Sequence, residues 1–303
     1  MGDWEWPLIL FTVLGQVAIG IILMLWWLDR DRDRNHLDNL LFKRGVYVSG
    51  TLLALALLAS LLHLGHPEAA YRALTHLGTS WLSREILLFL LTFLAWIYLF
   101  WQSRQQTSRH TPGSGTSTIT TAEIAAAEQQ TGNRSLGLGL TSVLGLLGIV
   151  SSAMIYVLPR VPAWNNVGPV LFFLLTTGLL GALCTLVLGA NLLQAAQKKT
   201  LLQWSLGCTI VSLLIYLIYG SMLSVSLEGA TSLNFLLSSP LFWIRAVLGW
   251  FAPLLLLVSI LKNPQIDKNN LIFTVTFLAG LGEVLGRALF YLSATGIHIT
   301  ALF

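Results

Sequence analysis

Long apolar runs separated by short polar stretches form the dominant pattern along the chain. A helix that crosses a lipid bilayer needs about 20 predominantly apolar residues, and eight stretches meet this length. The third is the weakest of them, because Arg84 and Glu85 lie near its start. The pattern predicts an all-α integral membrane protein, with residues 1–303 forming one domain built as a bundle of eight transmembrane helices. The predicted spans are Pro7–Leu28, Val46–Gly65, Leu82–Trp101, Leu136–Leu158, Val167–Leu193, Leu201–Val225, Pro240–Leu261 and Leu271–Leu292.

The composition excludes the soluble classes of protein. Of the 303 residues, 55% are hydrophobic and 10% are charged, whereas an average soluble domain carries about 25% charged residues. A globule of this composition has too few polar groups to cover its surface, and a disordered chain is less hydrophobic. The two cysteines, Cys184 and Cys208, form neither a disulfide framework nor a CxxC pair. The protein is therefore expected to hold no metal or iron–sulfur cluster by itself.

The distribution of Lys and Arg predicts the orientation of the bundle, because cytoplasmic loops are rich in these residues. Twelve of them lie in the loops on one side and three lie on the other. The twelve occupy 29–45, 102–135, 194–200 and 262–270, and the three are Arg72, Arg84 and Arg160. Both termini are therefore predicted to lie outside the cytoplasm. Since Met1–Trp6 contains no Lys or Arg, no cleavable signal peptide is expected.

The longest loop, residues 102–135, is rich in Ser, Thr, Gln and Gly. This composition is typical of flexible linkers. The sequence therefore predicts a flexible cytoplasmic loop here, with a short helix possible at Ala122–Gln130.

Charged and polar groups inside a membrane are costly, so each of them needs an explanation. Six such groups lie in the spans or at their ends. With a helix rise of 1.5 Å per residue, they fall in the outer half of the predicted bundle, at depths of up to about 14 Å. The six are Gln16, His63, Glu85, Arg245, Glu283 and Arg287. The inner half is predicted to hold no comparable group, so a ligand site is expected near the outer face.

Several of these residues also have purely structural interpretations. Glu283 and Arg287 are four residues apart and can form an ion pair on one helix face. Arg245 can extend to the outer lipid headgroups or bind a ligand. Gln16 can hydrogen-bond a neighbouring helix, and His63 can cap the end of its own helix.

The loop between the second and third spans predicts a lid over this site. Pro67 is placed to start a short helix and Gly78 to end it. Apolar residues between them would lie flat on the membrane. Such a lid, which contains Arg72, brings His63 and Glu85 together at its two ends. A buried carboxylate beside an imidazole is suited to proton transfer.

Two other kinds of membrane protein are disfavoured. A haem held by two histidines needs one on each of two facing helices, but His63 alone among the six histidines lies within a span. A secondary transporter has polar sites near the midplane with access from both sides, whereas the polar groups here are confined to the outer half.

Five segments together resemble one family. They are His63-Leu64-Gly65-x-Pro67, Leu82-Ser83-Arg84-Glu85-Ile86, the opening run from Trp4 to Gln16, Val161-Pro162-Ala163-Trp164, and the closing run from Gly282 to Tyr291. They span nearly the whole sequence, and they resemble the membrane anchor subunit of the dimethyl sulfoxide reductase family. The loop at 102–135 departs from that family's pattern, and His66 and Glu68 differ from its usual residues in the lid.

The resemblance implies an anchor without a redox centre of its own, in a bacterial inner membrane. Its implied partners at the outer face are a molybdopterin catalytic subunit and an iron–sulfur subunit, with no nucleic acid. The anchor is expected to oxidise menaquinol in anaerobic respiration and to pass the electrons to the nearest cluster, or to reduce quinone if the flow is reversed. Glu85 and His63 carry over as the catalytic residues. The expected quinol-binding residues are these two with Gln16, Arg72, Arg245, Glu283 and Arg287.

Overall fold

The helices follow the apolar runs of the sequence. The structure, a computed structural model, describes residues 6–30, 37–63, 76–108, 121–263 and 268–293. Within these ranges the protein forms ten α-helices and one π-helical turn, and no strand. The helices are α1 (Trp6–Arg30), α2 (Asn39–His63), α3 (Trp81–Ser108), α4 (Thr121–Ile155), α5 (Gly168–Leu188), α6 (Ala195–Leu223), α7 (Leu227–Ser238), α8 (Pro240–Ala246), α9 (Ala252–Lys262) and α10 (Lys268–Leu292), and the π-helical turn is Val247–Phe251.

Eight helical stretches of the described residues are long and apolar enough to cross a membrane, which confirms the predicted eight-span bundle. The seventh span is composite, because α8, the π-helical turn and α9 follow one another from Pro240 to Lys262. The short helix α7 precedes it and is capped by Ser226, whose hydroxyl accepts a hydrogen bond from the Gly229 amide. Twelve residues are too few to span a bilayer.

The predicted loop at 102–135 is largely helical where the structure describes it. Helix α3 continues to Ser108 and α4 begins at Thr121, since the Ala, Glu and Gln residues there are good helix formers. The short helix considered at Ala122–Gln130 is the first part of α4. Residues 109–120 lie outside the described ranges, and the cytoplasmic location of this segment stays a prediction.

Helix α1 occupies the centre of the bundle. It packs against α2, α4, α5 and α10, and it is apolar on every side, so that residues such as Ile19, Ile21 and Leu25 are fully buried. Helix α3 lies at the periphery against α2 and α4. Its outward side chains, including Leu94 and Ile97, are exposed and apolar, as expected of a surface that lipid covers.

Glycines allow the closest helix crossings. A Cβ atom at Gly20 of α1 would overlap the Thr177 carbonyl oxygen and the Gly181 backbone of α5. A Cβ atom at Gly282 of α10 would overlap the Gly249 backbone in the π-helical turn. These are backbone-to-backbone contacts of the kind that small residues permit in membranes.

The bundle has two ends with different polar groups. We call the end where α1, α3 and α5 begin the site end. At the opposite end, Arg134 forms an ion pair with Asp29 at 2.5 Å and donates a hydrogen bond to Asn39 at 2.9 Å. The side chains of Arg134 and Asp29 are 2% and 3% exposed. The prediction that the inner half holds no comparable group was therefore wrong, because the sequence placed both residues in loops.

Candidate functional site

Glu85 is buried at the site end, on the second turn of α3. Its side chain is 5% exposed and forms a hydrogen bond with the Ser152 hydroxyl of α4. The neighbouring Arg84 points elsewhere: its guanidinium donates to the carbonyls of Leu77 and Gly78 and lies over the Trp81 ring. The described partner of the Glu85 carboxyl is thus a neutral group, so this carboxyl can exchange a proton without breaking an ion pair.

Tyr156 lies one helical turn beyond Ser152, within electrostatic range of Glu85. Its hydroxyl is 3.1 Å from that of Tyr291 on α10, which in turn forms a hydrogen bond with Thr12 of α1. The Thr12 hydroxyl donates back to the carbonyls of its own helix, at Leu8 and Ile9.

Each hydroxyl in this series carries one hydrogen and can both donate and accept. In the bond between Tyr156 and Tyr291 either oxygen can be the donor. In either case the Tyr156 oxygen keeps a lone pair for a further donor, so this oxygen and the Glu85 carboxylate are two acceptors in one region of the site.

Arg287 is buried between α10, α1 and α5. Its Nη2 donates to the Oε1 of Gln16 at 3.0 Å, and its guanidinium lies 3.6 Å over the Phe173 ring. The structure thus gives Gln16 the interhelical hydrogen bond that the sequence suggested. Glu283 has another partner, since its Oε2 accepts from the Thr176 hydroxyl at 2.6 Å. The direct ion pair between Glu283 and Arg287 is not among the ion pairs of the described residues. Their hydrogen-bond partners lie on different helices, α5 for Glu283 and α1 for Arg287.

Arg245 is buried against aromatic rings. It is 7% exposed, and its guanidinium lies 3.9 Å over Trp250 and 5.1 Å from the Tyr216 ring centre. In an α-helix, residues 245 and 250 would point about 140° apart, because each residue turns the helix by about 100°. The wider π-helical turn that begins at Val247 brings Trp250 beneath the guanidinium. Whether Arg245 contacts a lipid headgroup or another ligand stays a prediction.

Arg245 lines a cleft beside the group formed by Glu85, Tyr156, Tyr291 and Thr12, which we call the Glu85 region. The cleft is narrow, with a cavity volume of about 40 Å³, and it is partly open to the surroundings. Helices α5, α6, α7, α8 and α10 form its walls. Its lining residues are Phe172, Thr176, Tyr216, Tyr219, Leu236, Arg245, Glu283, Gly286, Arg287, Leu289, Phe290 and Ser293. Arg287 and Phe290 line this cleft and also adjoin the Glu85 region, so the predicted polar residues form two neighbouring groups and not a single pocket.

Two of the predicted site residues fall at or beyond the edge of the described ranges. His63 is the last residue of α2, which packs against α3, so its backbone lies at the same end as Glu85. Its side chain lies outside the described residues, and so do Arg72 and Pro67. The described part of the predicted lid is a turn at His76–Thr79.

In the turn after α4, Trp164 connects two of the segments that carry the family resemblance, 161–164 and 282–291. The Trp164 indole N–H donates to the Phe290 carbonyl at 3.1 Å, and the two rings stack at 5.2 Å between centroids. Tyr156 packs edge-on against both of them. The aromatic cluster therefore holds the Tyr156 hydroxyl in place beside α10.

The hydroxyl groups of the site and the Trp250 ring beneath Arg245 were not predicted from the sequence. They are Thr12, Ser152, Tyr156, Thr176, Trp250 and Tyr291. Helical spacing indicates two of these residues. Thr12 precedes Gln16 by four residues, and Tyr291 follows Arg287 by four, so each pair shares a helix face. Single hydroxyls are inexpensive in a membrane helix and do not stand out as charges do.

Comparison with known proteins assigns nearly the whole sequence to one family. The model of the family described as DMSO reductase anchor subunit (DmsC) matches residues 1–111 and 133–292. The protein is 29% identical to the anaerobic dimethyl sulfoxide reductase chain YnfH of Escherichia coli (strain K12), over 98% of this sequence and 95% of that protein. It is 28% identical to the C subunit of the anaerobic dimethyl sulfoxide reductase of the same organism, over 98% and 96%. The unmatched residues 112–132 fall within the loop that departs from the family pattern.

Proposed function

This protein belongs to the DMSO reductase anchor subunit (DmsC) family, and on that premise we propose that it oxidises menaquinol beside Glu85 and passes the electrons to an iron–sulfur partner. The family makes the protein the multi-pass membrane anchor of a dimethyl sulfoxide reductase complex. Such a complex implies a catalytic subunit and an iron–sulfur subunit. In this proposal they hold the molybdopterin and the clusters, and the anchor holds the quinol.

The observation that supports this proposal is the buried Glu85 carboxyl with a neutral partner. A quinol presents two O–H donors, so its site must supply acceptors. Glu85 supplies a carboxylate oxygen, and Tyr156 supplies a hydroxyl oxygen that also shares a hydrogen bond with Tyr291. The acceptors on α3 and after α4 therefore fit the reduced form of the carrier.

Oxidation removes two protons and two electrons from each menaquinol. Glu85 accepts a hydrogen bond from one quinol hydroxyl and takes its proton as the electrons leave for the iron–sulfur subunit. His63 holds the second oxygen or relays the second proton outward, as the family resemblance implies. Gln16 and Arg287, bonded to each other, position α1 relative to α10 around the site. Arg72 keeps its predicted position in the lid over the site.

The proposal places the site end outside the cytoplasm, in a bacterial inner membrane. The partner subunits then dock at this end, and the protons are released there. The described surfaces available to them are the turn at 159–167 and the segment 226–239 around α7. Docking over the site keeps the distance from quinol to cluster short, as electron transfer requires.

The test uses the intact complex in liposomes, supplied with a soluble menaquinol analogue and dimethyl sulfoxide. We expect one acceptor molecule to be reduced for each quinol oxidised. Reduction of menaquinone by a substrate of the partner subunits, with no quinol-driven activity, would show reversed electron flow. Solute exchange across the liposome without any quinol turnover would point to a transporter and contradict the proposal.

A further inference from the structure

The Arg245 cleft contains more hydrogen-bond donors than the protein satisfies. Among the described residues that line the cleft, the Nε and Nη1 of Arg245 and the Nε of Arg287 are buried without a hydrogen-bond partner. Arg245 and Arg287 are 7% and 5% exposed. Leaving a buried donor unpaired is destabilising, and more so if the group is charged. A group that fills this cleft must therefore offer acceptors.

The charges of the cleft point to an anion. Two guanidinium groups, those of Arg245 and Arg287, repel each other across it. Glu283 is the one carboxyl among the lining residues, and it is bonded to Thr176. The lining thus carries an excess of one positive charge. A buried cation without a counter-charge is unfavourable, so an anionic group with several oxygens satisfies both the charge and the donors.

We propose that this cleft binds the phosphate of an anionic phospholipid. Arg245 lies five residues into its span, about 8 Å from the start of α8, where a headgroup drawn slightly inward can reach it. Helices α6 and α8 and the π-helical turn direct apolar side chains outward, among them Ile218, Trp243 and Val247. Such a surface is covered by acyl chains. The Gly286 position, where any Cβ would overlap the Arg245 guanidinium, leaves the room that this arrangement needs.

The test measures lipid binding to the purified complex by native mass spectrometry. The probes are phosphatidylglycerol, a phosphate-free galactosyl diacylglycerol with the same acyl groups, and inorganic phosphate. We expect one phosphatidylglycerol to bind the wild type, and the Arg245→Gln variant to bind it about tenfold or more weakly. The control variant Arg160→Gln, which removes an exposed arginine at the same end, should bind as the wild type does.

The probes distinguish the sources of phosphate. Inorganic phosphate that displaces the lipid from the wild type and binds as tightly would assign the site to free phosphate. Equal binding of the phosphate-free lipid, or equal binding of phosphatidylglycerol by wild type and Arg245→Gln, would overturn the proposal and leave water as the partner of these donors.

A second variant tests the same site in case Arg245→Gln does not fold. Gly286→Ala keeps the charge but displaces the guanidinium, so it should also weaken phosphatidylglycerol binding, and undiminished binding would contradict the proposal. Lipid binding is measured without quinol, so failure of this proposal is distinguishable from failure of quinol oxidation at Glu85.

Discussion

Arg287 and Gln16 are bonded at 3.0 Å although 271 positions separate them in the sequence. The bond joins the first transmembrane helix to the last, inside the bundle. A hydrogen bond to a charged group contributes about 1.5–3 kcal/mol, and its loss leaves a buried guanidinium unpaired. We expect Gln16→Leu to lower the melting temperature of the purified complex measurably, whereas Gln16→Glu, which keeps an acceptor, should retain it. Equal losses in both variants would show that the hydrogen bond is not the cause.

Replacement of Glu85 by Gln tests the proposed base. The change keeps the size and the contact with Ser152 but removes the proton acceptor, so quinol-driven turnover should fall about 10²–10⁴-fold. Activity with an artificial dye that feeds the catalytic subunit directly should remain. The two activities are measured on one membrane preparation. Glu228→Gln, a change in a partly exposed carboxyl on α7, is the matched control, and parallel loss of both activities in Glu85→Gln would indicate a structural role.

Replacement of Tyr156 by Phe tests the second acceptor. The aromatic contacts with Trp164 and Phe290 are kept, so the complex should assemble normally. Loss of one neutral hydrogen bond should reduce quinol-driven turnover by about two- to tenfold, with dye-driven activity unchanged. The control is Tyr219→Phe, which removes another buried hydroxyl, one that donates to the Ala163 carbonyl. An unchanged quinol rate in Tyr156→Phe would exclude this hydroxyl from the site.

The ion pair of Arg134 and Asp29 predicts a large effect on stability at the opposite end. Removing one partner of a buried pair typically costs about 3–5 kcal/mol, because the other charge stays buried. Asp29→Asn should therefore destabilise the complex in a thermal melt far more than Arg44→Gln, which alters an exposed arginine at the same end. Similar melts for the two variants would mean that water reaches Arg134.

The charge distribution of the loops predicts that the site end faces outward. A reporter enzyme that is active only outside the cytoplasm should be active when it is fused after Phe303. The same reporter inserted within 109–120 should be inactive. Activity in the opposite pattern, with both fusions expressed, would reverse the orientation and with it the side on which partners dock.

The sequence predicted the number of spans and the position of Glu85, because both depend on hydrophobicity and on the cost of a buried charge. It did not predict the pairing of Arg134 with Asp29, since residues near a span boundary read as loop charges. Helical spacing predicted that Glu283 pairs with Arg287. In the folded protein Glu283 is hydrogen-bonded to Thr176 of α5, and Arg287 is hydrogen-bonded to Gln16 of α1. Partners on distant helices are set by packing, and local spacing carries no information about them.

The π-helical turn at Val247–Phe251 makes the seventh span sensitive to its number of residues. Before the turn, Arg245 faces the cleft, and after it Leu257 and Ile260 face the core. Deleting one residue from the turn would leave a continuous apolar helix of nearly the same length. It would also rotate one half against the other by about 100° and carry Trp250 away from the guanidinium. Insertions and deletions here are therefore more disruptive than exchanges between apolar residues, although neither changes the hydropathy of the segment.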